Sequence, residues 1–187
     1  MKRWKLGLST ALCAFMLSAP LFSAPMSSAP MSAAQAAEPA IARGEYLVRI
    51  GGCTDCHTPG HFMGHPDPAR FLGGSDVGFG IPGDGVFVGP NLTPDKDTGL
   101  GAWTEEEIAT AITTGVIPGG RILAPAMPWR GLSALSKSDA LAMAAYLKSL
   151  PPVSNKVPGP FGPTQTPTVM VMSLQPGAAY MANQPRK

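Results

Sequence analysis

The five residues Cys53-Thr54-Asp55-Cys56-His57 constrain this chain more than any other stretch. Two cysteines three positions apart, followed directly by a histidine, have the C-x-x-C-H spacing at which a c-type haem is attached. On one turn of helix, positions i, i+3 and i+4 share a face. Cys53 and Cys56 can therefore form thioethers to the two vinyl groups of one haem edge, while His57 lies under the iron as its proximal ligand. The motif predicts one covalently bound haem c.

Two other uses of paired cysteines fit the sequence less well. A zinc site needs a second pair of cysteine or histidine ligands at matching spacing, and none follows His57. A thioredoxin-like dithiol needs a βαβ surround, which the sequence does not indicate. A covalent haem is a large apolar group, so we expect the rest of the chain to wrap around it.

Residues 1–37 have the pattern of a secretory signal peptide. A basic segment, residues 2–5, precedes an apolar run over residues 6–22, and small residues lead to Ala34-Gln35-Ala36-Ala37. We place cleavage after Ala36 or Ala37. The alternative is an uncleaved membrane anchor, for which the apolar run is short.

Removal of this leader changes the charge of the chain. The 14 basic residues fall to 11 against 12 acidic residues, so the net charge of +2 becomes −1. No basic patch then indicates a nucleic-acid partner. The mature chain is predicted to be periplasmic, without a membrane span of its own.

The segment after the haem motif, residues 58–102, shows little periodicity. It contains 11 glycines and 6 prolines. So long a loop is unusual in a compact domain, and a buried porphyrin would supply the core on which it lies. Within it, residues 77–81 and 86–88 flank a Pro-Gly-Asp-Gly turn and predict a small hairpin.

Three helices are predicted around this loop, over residues 40–51, 105–114 and 138–149. The second and third each follow a capping-box pattern, Thr104-Glu105-Glu106-Glu107 and Ser136-Lys137-Ser138-Asp139. The apolar face predicted for the first helix consists of Tyr46, Leu47 and Ile50.

Met127 is the predicted sixth ligand of the iron. It lies in Ala124-Pro125-Ala126-Met127-Pro128-Trp129, where the prolines favour an extended and stiffened backbone. Such a loop presents a thioether at a fixed angle, and a soft thioether suits low-spin haem iron. Loop packing is the alternative role for Met127. His61 and His65 are the alternative ligands, although they follow His57 closely and reach the opposite haem face only awkwardly.

Two further residues are candidates for the surround of the haem. A haem-ligating histidine needs an acceptor for its other ring nitrogen, and the carbonyl of Pro90 is a candidate, with an ordinary turn as the alternative. Trp103 directly precedes the cap of the second helix. Its indole is a donor only and could bind a haem propionate, with a hydrophobic staple as the alternative.

Together these features resemble class I cytochrome c over residues 43–150. The matching elements are a short helix entering the haem motif, Gly-Pro-Asn-Leu at 89–92, the Met127 loop, and a last helix containing Tyr146-Leu147-Lys148. The resemblance implies an all-α fold with three to four helices around one haem. It also implies that the first and last helices cross closely and that the Pro90 carbonyl accepts from His57. The predicted cofactor-binding residues are Cys53, Cys56, His57, Pro90, Leu92, Trp103 and Met127, of which His57 and Met127 ligate the iron.

A narrower resemblance concerns residues 91–95, 98–104 and 126–128. They are similar to the cytochrome c subunits of bacterial periplasmic or membrane-bound alcohol and aldehyde dehydrogenases. Many of those subunits carry two or three haem domains, whereas this chain has one C-x-x-C-H. The resemblance implies a non-enzymatic electron carrier of a respiratory chain, which accepts electrons from a periplasmic dehydrogenase and delivers them to a terminal oxidase or another cytochrome.

Two other functions remain open at this point. One is a haem enzyme or gas sensor with an open iron position, and the other is a structural or anchoring cytochrome subunit of a dehydrogenase complex. The expected domain organisation is a signal peptide over 1–37, a cytochrome c domain over 38–155 and a Pro-rich C-terminal tail over 156–187. The pattern leaves three alternatives for this tail: it lies along the domain, docks on a partner or lacks order.

Overall fold

The computed structural model describes residues 33–183, with side chains from Glu38 onward. The predicted signal peptide lies outside the described residues up to position 32. Helix α1 (Ala33–Ile50) runs through the expected cleavage site after Ala36 or Ala37 and contains Pro39. Cleavage there would leave Pro39 in the first turn of the helix, where its missing N–H breaks no helical hydrogen bond.

Within the described residues there are six α-helices and three strands, so the prediction of an all-α fold with three to four helices is wrong. None of these helices is both long and apolar enough to cross a bilayer. After α1 the elements are α2 (Cys53–His57), β1 (Val77–Ile81), β2 (Gly85–Val88), α3 (Glu105–Thr114), α4 (Trp129–Leu132), α5 (Lys137–Ser149), β3 (Met170–Ser173) and α6 (Gly177–Ala182), with short 3-10 helices at His61–Met63 and Pro68–Arg70.

The three strands form one mixed sheet in the order β2-β1-β3. The predicted hairpin is confirmed: β1 and β2 are antiparallel, and Phe79 lies opposite Phe87. Strand β3 adds to β1 in parallel, with Val77 opposite Met170. The sequence analysis missed β3 because its partner lies far back in the chain, and a parallel pairing of this kind leaves no local turn signal.

Helices α1 and α5 pack against each other across the domain, as the family resemblance implies. The approach is close at Gly44, where a Cβ atom would overlap the carbonyl oxygen of Ala142. From Glu38 onward, the buried apolar side chains of α1 are those of Leu47 and Val48. The predicted apolar face is therefore wrong in part, because Tyr46 and Ile50 of that face are 53% and 62% exposed.

The ends of α3 and α5 follow the capping patterns in the sequence. Thr104 Oγ1 accepts from the backbone N–H of Glu107 at 3.1 Å, and Glu107 Oε2 accepts from the N–H of Thr104 at 2.8 Å. Ser136 caps α5 by accepting from the N–H of Asp139. The carboxylate of Asp139 binds Arg43 on α1 at 2.9 Å instead of completing the second capping box, so it joins the two crossing helices.

The chain after α5 lies along the domain, which is one of the three alternatives left open for it. The backbone N–H of Val153 donates to Thr93 Oγ1 at 3.0 Å, and its carbonyl accepts from Asn91 Nδ2 at 2.6 Å. Further on, Phe161 exchanges two backbone hydrogen bonds with Val86 of β2. Strand β3 then completes the sheet, so part of the tail is an integral layer of the fold.

The apolar core lies between the crossing helices and the long loop. Its fully buried members include Val48, Leu72, Ile108 and Met143. Around it pack Leu92 and Trp103, which are partly buried. This core does not close on itself: Ile108, Met143 and their neighbour Leu147 also form part of the wall of a cavity.

Candidate functional site

The cavity has a volume of about 400 Å³ and a mostly apolar lining. Pockets for small molecules and cofactors commonly measure about 300–1,000 Å³. Its walls come from α2, the β1–β2 hairpin, α3, the loop before α4, α5 and a segment beyond α5. The seven predicted site residues all line it, namely Cys53, Cys56, His57, Pro90, Leu92, Trp103 and Met127.

Helix α2 presents its two cysteines to this cavity. It begins after Gly52, whose φ of 65° is left-handed and favours glycine, and it continues for a single short helix of five residues. Cys53 and Cys56 are not joined to each other. Burial raises the pKa of the Cys53 thiol to about 11 and raises that of Cys56 as well. Both are therefore neutral thiols at pH 7, which is the form whose S–H adds across a vinyl group.

His57 is held in one orientation by the carbonyl of Pro90. The side chain is buried, with 6% of its surface exposed, and Nδ1 lies 2.8 Å from the Pro90 oxygen. A carbonyl can only accept, so Nδ1 carries the proton and donates, and Nε2 keeps a free lone pair. Burial lowers the pKa of His57, while the hydrogen bond to Pro90 acts in the opposite direction. The neutral ring with an oriented Nδ1–H is the form in which histidine binds a metal.

Gly89 allows this arrangement and was missed in the sequence analysis. A Cβ atom at this position would overlap the carbonyl oxygen of Cys56 and lie 3.3 Å from His57 Nδ1. The carbonyl of Gly89 also accepts a hydrogen bond from the N–H of Ser75 at 2.9 Å, which holds the backbone at Gly89 in place. A glycine directly before Pro90 could have indicated this contact, because glycine is required where two backbones approach this closely.

Met127 lies in a turn on the cavity wall and is half-buried. Its N–H donates to the carbonyl of Ala124 at 3.0 Å, and its own carbonyl accepts from the N–H of Trp129 at 2.8 Å. Pro125 and Pro128 further stiffen this turn. The alternative ligands His61 and His65 are not among the residues that line the cavity, and His61 Nε2 lies 3.4 Å from the carboxylate of Asp55.

A second methionine, Met143 of α5, also lines the cavity. It differs from Met127 because it is fully buried, with 2% exposure, and belongs to the apolar core. Nothing in the sequence marks Met143 as an iron ligand, since a methionine in a helix is an ordinary core residue.

Leu92 and Trp103 reach the cavity from two fixed turns. The N–H of Leu92 donates to the carbonyl of Leu72 at 2.9 Å. The backbone of Trp103 is fixed from α5, because Lys148 Nζ donates to its carbonyl at 2.9 Å and to that of Gly101 at the same distance. Trp103 also packs on the core, as the staple alternative expects, so packing and cavity lining occur together here.

Three groups of lining residues were not identified from the sequence. The hairpin contributes Phe79, Phe87 and Val88, the loop before Met127 contributes Ile117, Arg121 and Leu123, and the chain beyond α5 contributes Val157, Pro158, Gly159 and Pro160. The apolar alternation of the hairpin was a usable signal. Nothing local in the sequence indicates the third group, because its position depends on bonds to residues much earlier in the chain.

The residues of this cavity fit a covalent haem. The two neutral thiols lie on one short helix, and the neutral imidazole of His57 is oriented by a carbonyl. The thioether of Met127 lines the same cavity. The remaining lining is almost entirely apolar, as the face of a porphyrin requires. The family model for cytochrome c matches residues 41–151 of the sequence. The chain belongs to the cytochrome c family.

A cytochrome c domain carries haem c covalently, and Cys53 and Cys56 belong to the C-x-x-C-H motif that attaches it. This cytochrome is 37% identical to the gluconate 2-dehydrogenase cytochrome c subunit of Pantoea cypripedii over 112 residues, which are 60% of this chain and 23% of that protein. It is 36% identical to the cytochrome c subunit of the quinone alcohol dehydrogenase of Gluconobacter oxydans over 126 residues, 66% of this chain and 24% of that subunit.

The fructose dehydrogenase cytochrome subunit of Gluconobacter japonicus is a third relative, 32% identical over 133 residues that make up 67% of this chain and 26% of the relative. The chain thus spans about a quarter of the length of these curated relatives. The predicted resemblance to cytochrome c subunits of bacterial dehydrogenases is confirmed. The matched residues run from within α1 to just beyond the end of α5 and include all seven predicted site residues.

Proposed function

We propose that this cytochrome is a periplasmic single-haem electron carrier, which accepts electrons from a dehydrogenase and delivers them to a terminal oxidase or another cytochrome. The observation that carries the proposal is the pairing of His57, oriented by Pro90, with Met127 on the wall of the same apolar cavity. His57 and Met127 would be the axial ligands, and Cys53 and Cys56 the attachment points.

Haem c supplies one-electron chemistry at iron, and the residues around it determine the potential and the cost of each transfer. The neutral imidazole of His57 is fixed by its hydrogen bond to Pro90, and the Met127 turn is fixed by its own backbone bonds. Neither ligand needs to move when the charge of the iron changes, which favours fast transfer. A thioether also favours the ferrous state, so the potential should be high for a cytochrome.

The lining of the cavity supports a carrier rather than an enzyme. Among the described lining residues, the titratable side chains are Cys53, Cys56, His57 and Arg121. The first three have roles in holding the haem. Within residues 38–183, no carboxylate lines the cavity to act as a general base toward a bound substrate.

The relatives support the choice of donor. Their names assign them to gluconate, alcohol and fructose dehydrogenases as cytochrome subunits. A cytochrome of this kind that carries a signal peptide over residues 1–37 would meet such an enzyme in the periplasm. Any membrane association would come from its partners.

The test is to express the full chain in a host that attaches c-type haem and to examine the purified protein. We expect haem on the denatured polypeptide, a far-red sulfur-to-iron band in the ferric protein and no rapid carbon monoxide binding in the ferrous protein. Rapid stoichiometric carbon monoxide binding would instead support a haem enzyme or gas sensor.

The donor is tested separately, by mixing the ferric protein with sugar- or alcohol-oxidising periplasmic extracts of its native source and following reduction after addition of each substrate. Reduction that depends on substrate supports the proposal. If the cytochrome co-purifies with a dehydrogenase but is never reduced by it, the structural-subunit alternative is favoured.

A further inference from the structure

Arg121 carries the single full charge on the wall of the cavity at neutral pH, among the described residues that line it. The other titratable side chains that line it are those of Cys53, Cys56 and His57, to which the proposed function already assigns the attachment and ligation of the haem. Arg121 is exposed to solvent, so its guanidinium lies at the rim of the cavity, where the charged groups of a bound ligand would also lie, because burying an ionised group away from water is costly.

The described part of the chain offers Arg121 no anionic partner. The other arginines that form ion pairs do so with nearby carboxylates: Arg43 with Asp139, Arg49 with Glu45 and Arg70 with Asp67. Arg130, three residues after Met127, lies over the ring of Trp129 at 4.4 Å from its centroid. Arg121 is therefore distinguished both by its place on the cavity and by the absence of a carboxylate within ion-pair distance in residues 38–183.

The backbone holds Arg121 in place on a tight loop. Its carbonyl accepts from the N–H of Ile117 at 3.0 Å, and the N–H of Gly120 donates to the carbonyl of Ile117 at 2.9 Å. An antiparallel bridge between Val116 and Ile122 closes the base of this loop. The loop leads into Leu123 and the Met127 turn, so the guanidinium is presented from the same wall that carries the sixth ligand.

We infer that Arg121 binds a propionate carboxylate of the haem. A guanidinium forms paired, charge-assisted hydrogen bonds with a carboxylate and remains protonated at all accessible pH values. Because Arg121 is exposed, solvent and salt partly screen this pair. Arg121 thus anchors the edge of the haem that bears the propionates, and its charge opposes the ferric state. The inference rests on the haem site proposed above.

The test compares Arg121→Gln with Arg130→Gln, which removes the same charge from a neighbouring arginine that does not line the cavity. Haem content on the denatured polypeptide and the ferric far-red band are measured first in the wild-type protein. If either is absent there, the proposed function itself is overturned. With both intact, Arg121→Gln should lower the equilibrium constant for haem reduction by about threefold to tenfold, where tenfold is about 59 mV for one electron. Arg130→Gln should change it much less.

Two further measurements test the charge of Arg121 and its contact with the propionate in turn. Arg121→Lys should restore most of the potential, because the charge remains. Redox-linked infrared difference spectra of protein with isotope-labelled propionates should show a shift of the carboxylate bands in Arg121→Gln and none in Arg130→Gln. The inference is overturned if the potential is unchanged in Arg121→Gln, if both glutamine variants shift it equally, or if the labelled bands do not respond to Arg121.

Discussion

The part of the chain that matches the family (residues 41–151) and the segment that follows it (residues 152–183) are held in place by different forces. The matched part has a buried apolar core and helix ends fixed by caps. The following segment has exposed side chains even in its strand: all four residues of β3 are exposed. It is attached instead by hydrogen bonds to backbone and to uncharged side chains, such as those of Asn91 and Thr93.

The two regions also contribute differently to the site. The matched part contains all four predicted attachment and ligand residues, Cys53, Cys56, His57 and Met127, whereas the following segment contributes apolar wall through Val157–Pro160. The family match therefore covers the predicted ligands but not the complete wall of the cavity. We expect changes in the matched part to decide whether haem is bound and ligated, and changes in the following segment to adjust its exposure.

The largest effect should follow removal of the two thiols of the matched part. Cys53→Ala combined with Cys56→Ala is expected to leave no haem on the denatured polypeptide, because no other thiol lines the cavity in the part of the chain that the structure describes. The apolar cavity would then lack the group that fills it, so the protein should also fold poorly. Haem staining on a denaturing gel measures attachment, and circular dichroism measures folding. Either single variant serves as the control, and haem retained covalently by the double variant contradicts the assignment.

The next largest effect should come from Met127. Met127→Ala is expected to abolish the far-red ferric band, lower the midpoint potential and let the ferrous haem bind carbon monoxide, since a thioether favours ferrous iron and closes the sixth position. Met127→His should also lower the potential but keep the iron low-spin.

Met143 provides the matched control for this assignment, because its thioether lines the same cavity. Met143→Leu conserves volume, and such swaps usually cost less than about 1.5 kcal/mol of stability. The band should survive in Met143→Leu. Loss of the band in this variant and its persistence in Met127→Ala would reverse the ligand assignment.

The sequence predicted the matched part of the chain better than the segment that follows it. The α3 helix was predicted with its limits because Thr104, Glu107 and Gly115 specify its ends locally. The candidate haem-binding residues could be predicted because the chemistry of C-x-x-C-H and of a Pro-bounded methionine needs only neighbouring residues, and the structure places them on one cavity. The hydrogen bond from His57 to Pro90 was also anticipated, through the resemblance to a known family.

The missed features depend on residues that are distant in sequence. Strand β3 exists because β1 offers it a parallel edge, and Met170 carries no mark of that partner. Val157–Pro160 reach the cavity because Asn155 donates to the carbonyl of Gly73 at 2.7 Å and Phe161 pairs with Val86. The error over Tyr46 and Ile50 has another cause: the close crossing at Gly44 turns α1 so that Leu47 and Val48 face inward.

Truncation of the following segment sharpens the comparison directly. A chain ending at Lys156 lacks the wall formed by Val157–Pro160 and strand β3, whereas a chain ending at Gln175 keeps both and lacks α6. We expect both to carry covalent haem, but only the shorter chain should have a lower midpoint potential, because water at the haem stabilises the ferric charge. Potentiometry and the thermal midpoint measure this. Equal potentials in the two chains would mean that the segment does not shield the haem.

A smaller effect should follow from loosening the joint between the two regions. Asn91 is 1% exposed, accepts from the N–H of Thr93 and donates to the carbonyl of Val153. Asn91→Ala leaves the buried N–H of Thr93 without its acceptor and removes the shorter of two hydrogen bonds to the Val153 carbonyl, which should lower the free energy of unfolding by about 1–3 kcal/mol. Asn155→Ala is the matched control at a half-buried site, and it should cost less. Denaturant unfolding of the holoprotein measures both, and a larger loss in Asn155→Ala would contradict this ranking.

The smallest effect should appear in acid, and only in the matched part. The guanidinium of Arg43 on α1 holds the pKa of Asp139 on α5 below its ordinary value of about 3.9, first through its hydrogen bond and then through its charge. A carboxyl whose pKa is lower in the folded state stabilises the fold above the unfolded-state pKa, and this contribution disappears as the pH falls through the folded-state pKa. Asp139→Asn and Arg43→Gln should therefore each flatten the fall in stability below about pH 4. The effect should be modest because the pair is partly exposed, with Arg43 50% and Asp139 26% exposed.

The hydrogen bonds that attach residues 153–161 join uncharged groups, so the chain that ends at Lys156 should keep the wild-type acid slope. Thermal midpoints measured from pH 7 to pH 3 test the predictions for the two substitutions and for the truncated chain. If the acid slope changes in the truncated chain but not in Asp139→Asn, the acid-sensitive contact lies in the following segment and not between α1 and α5.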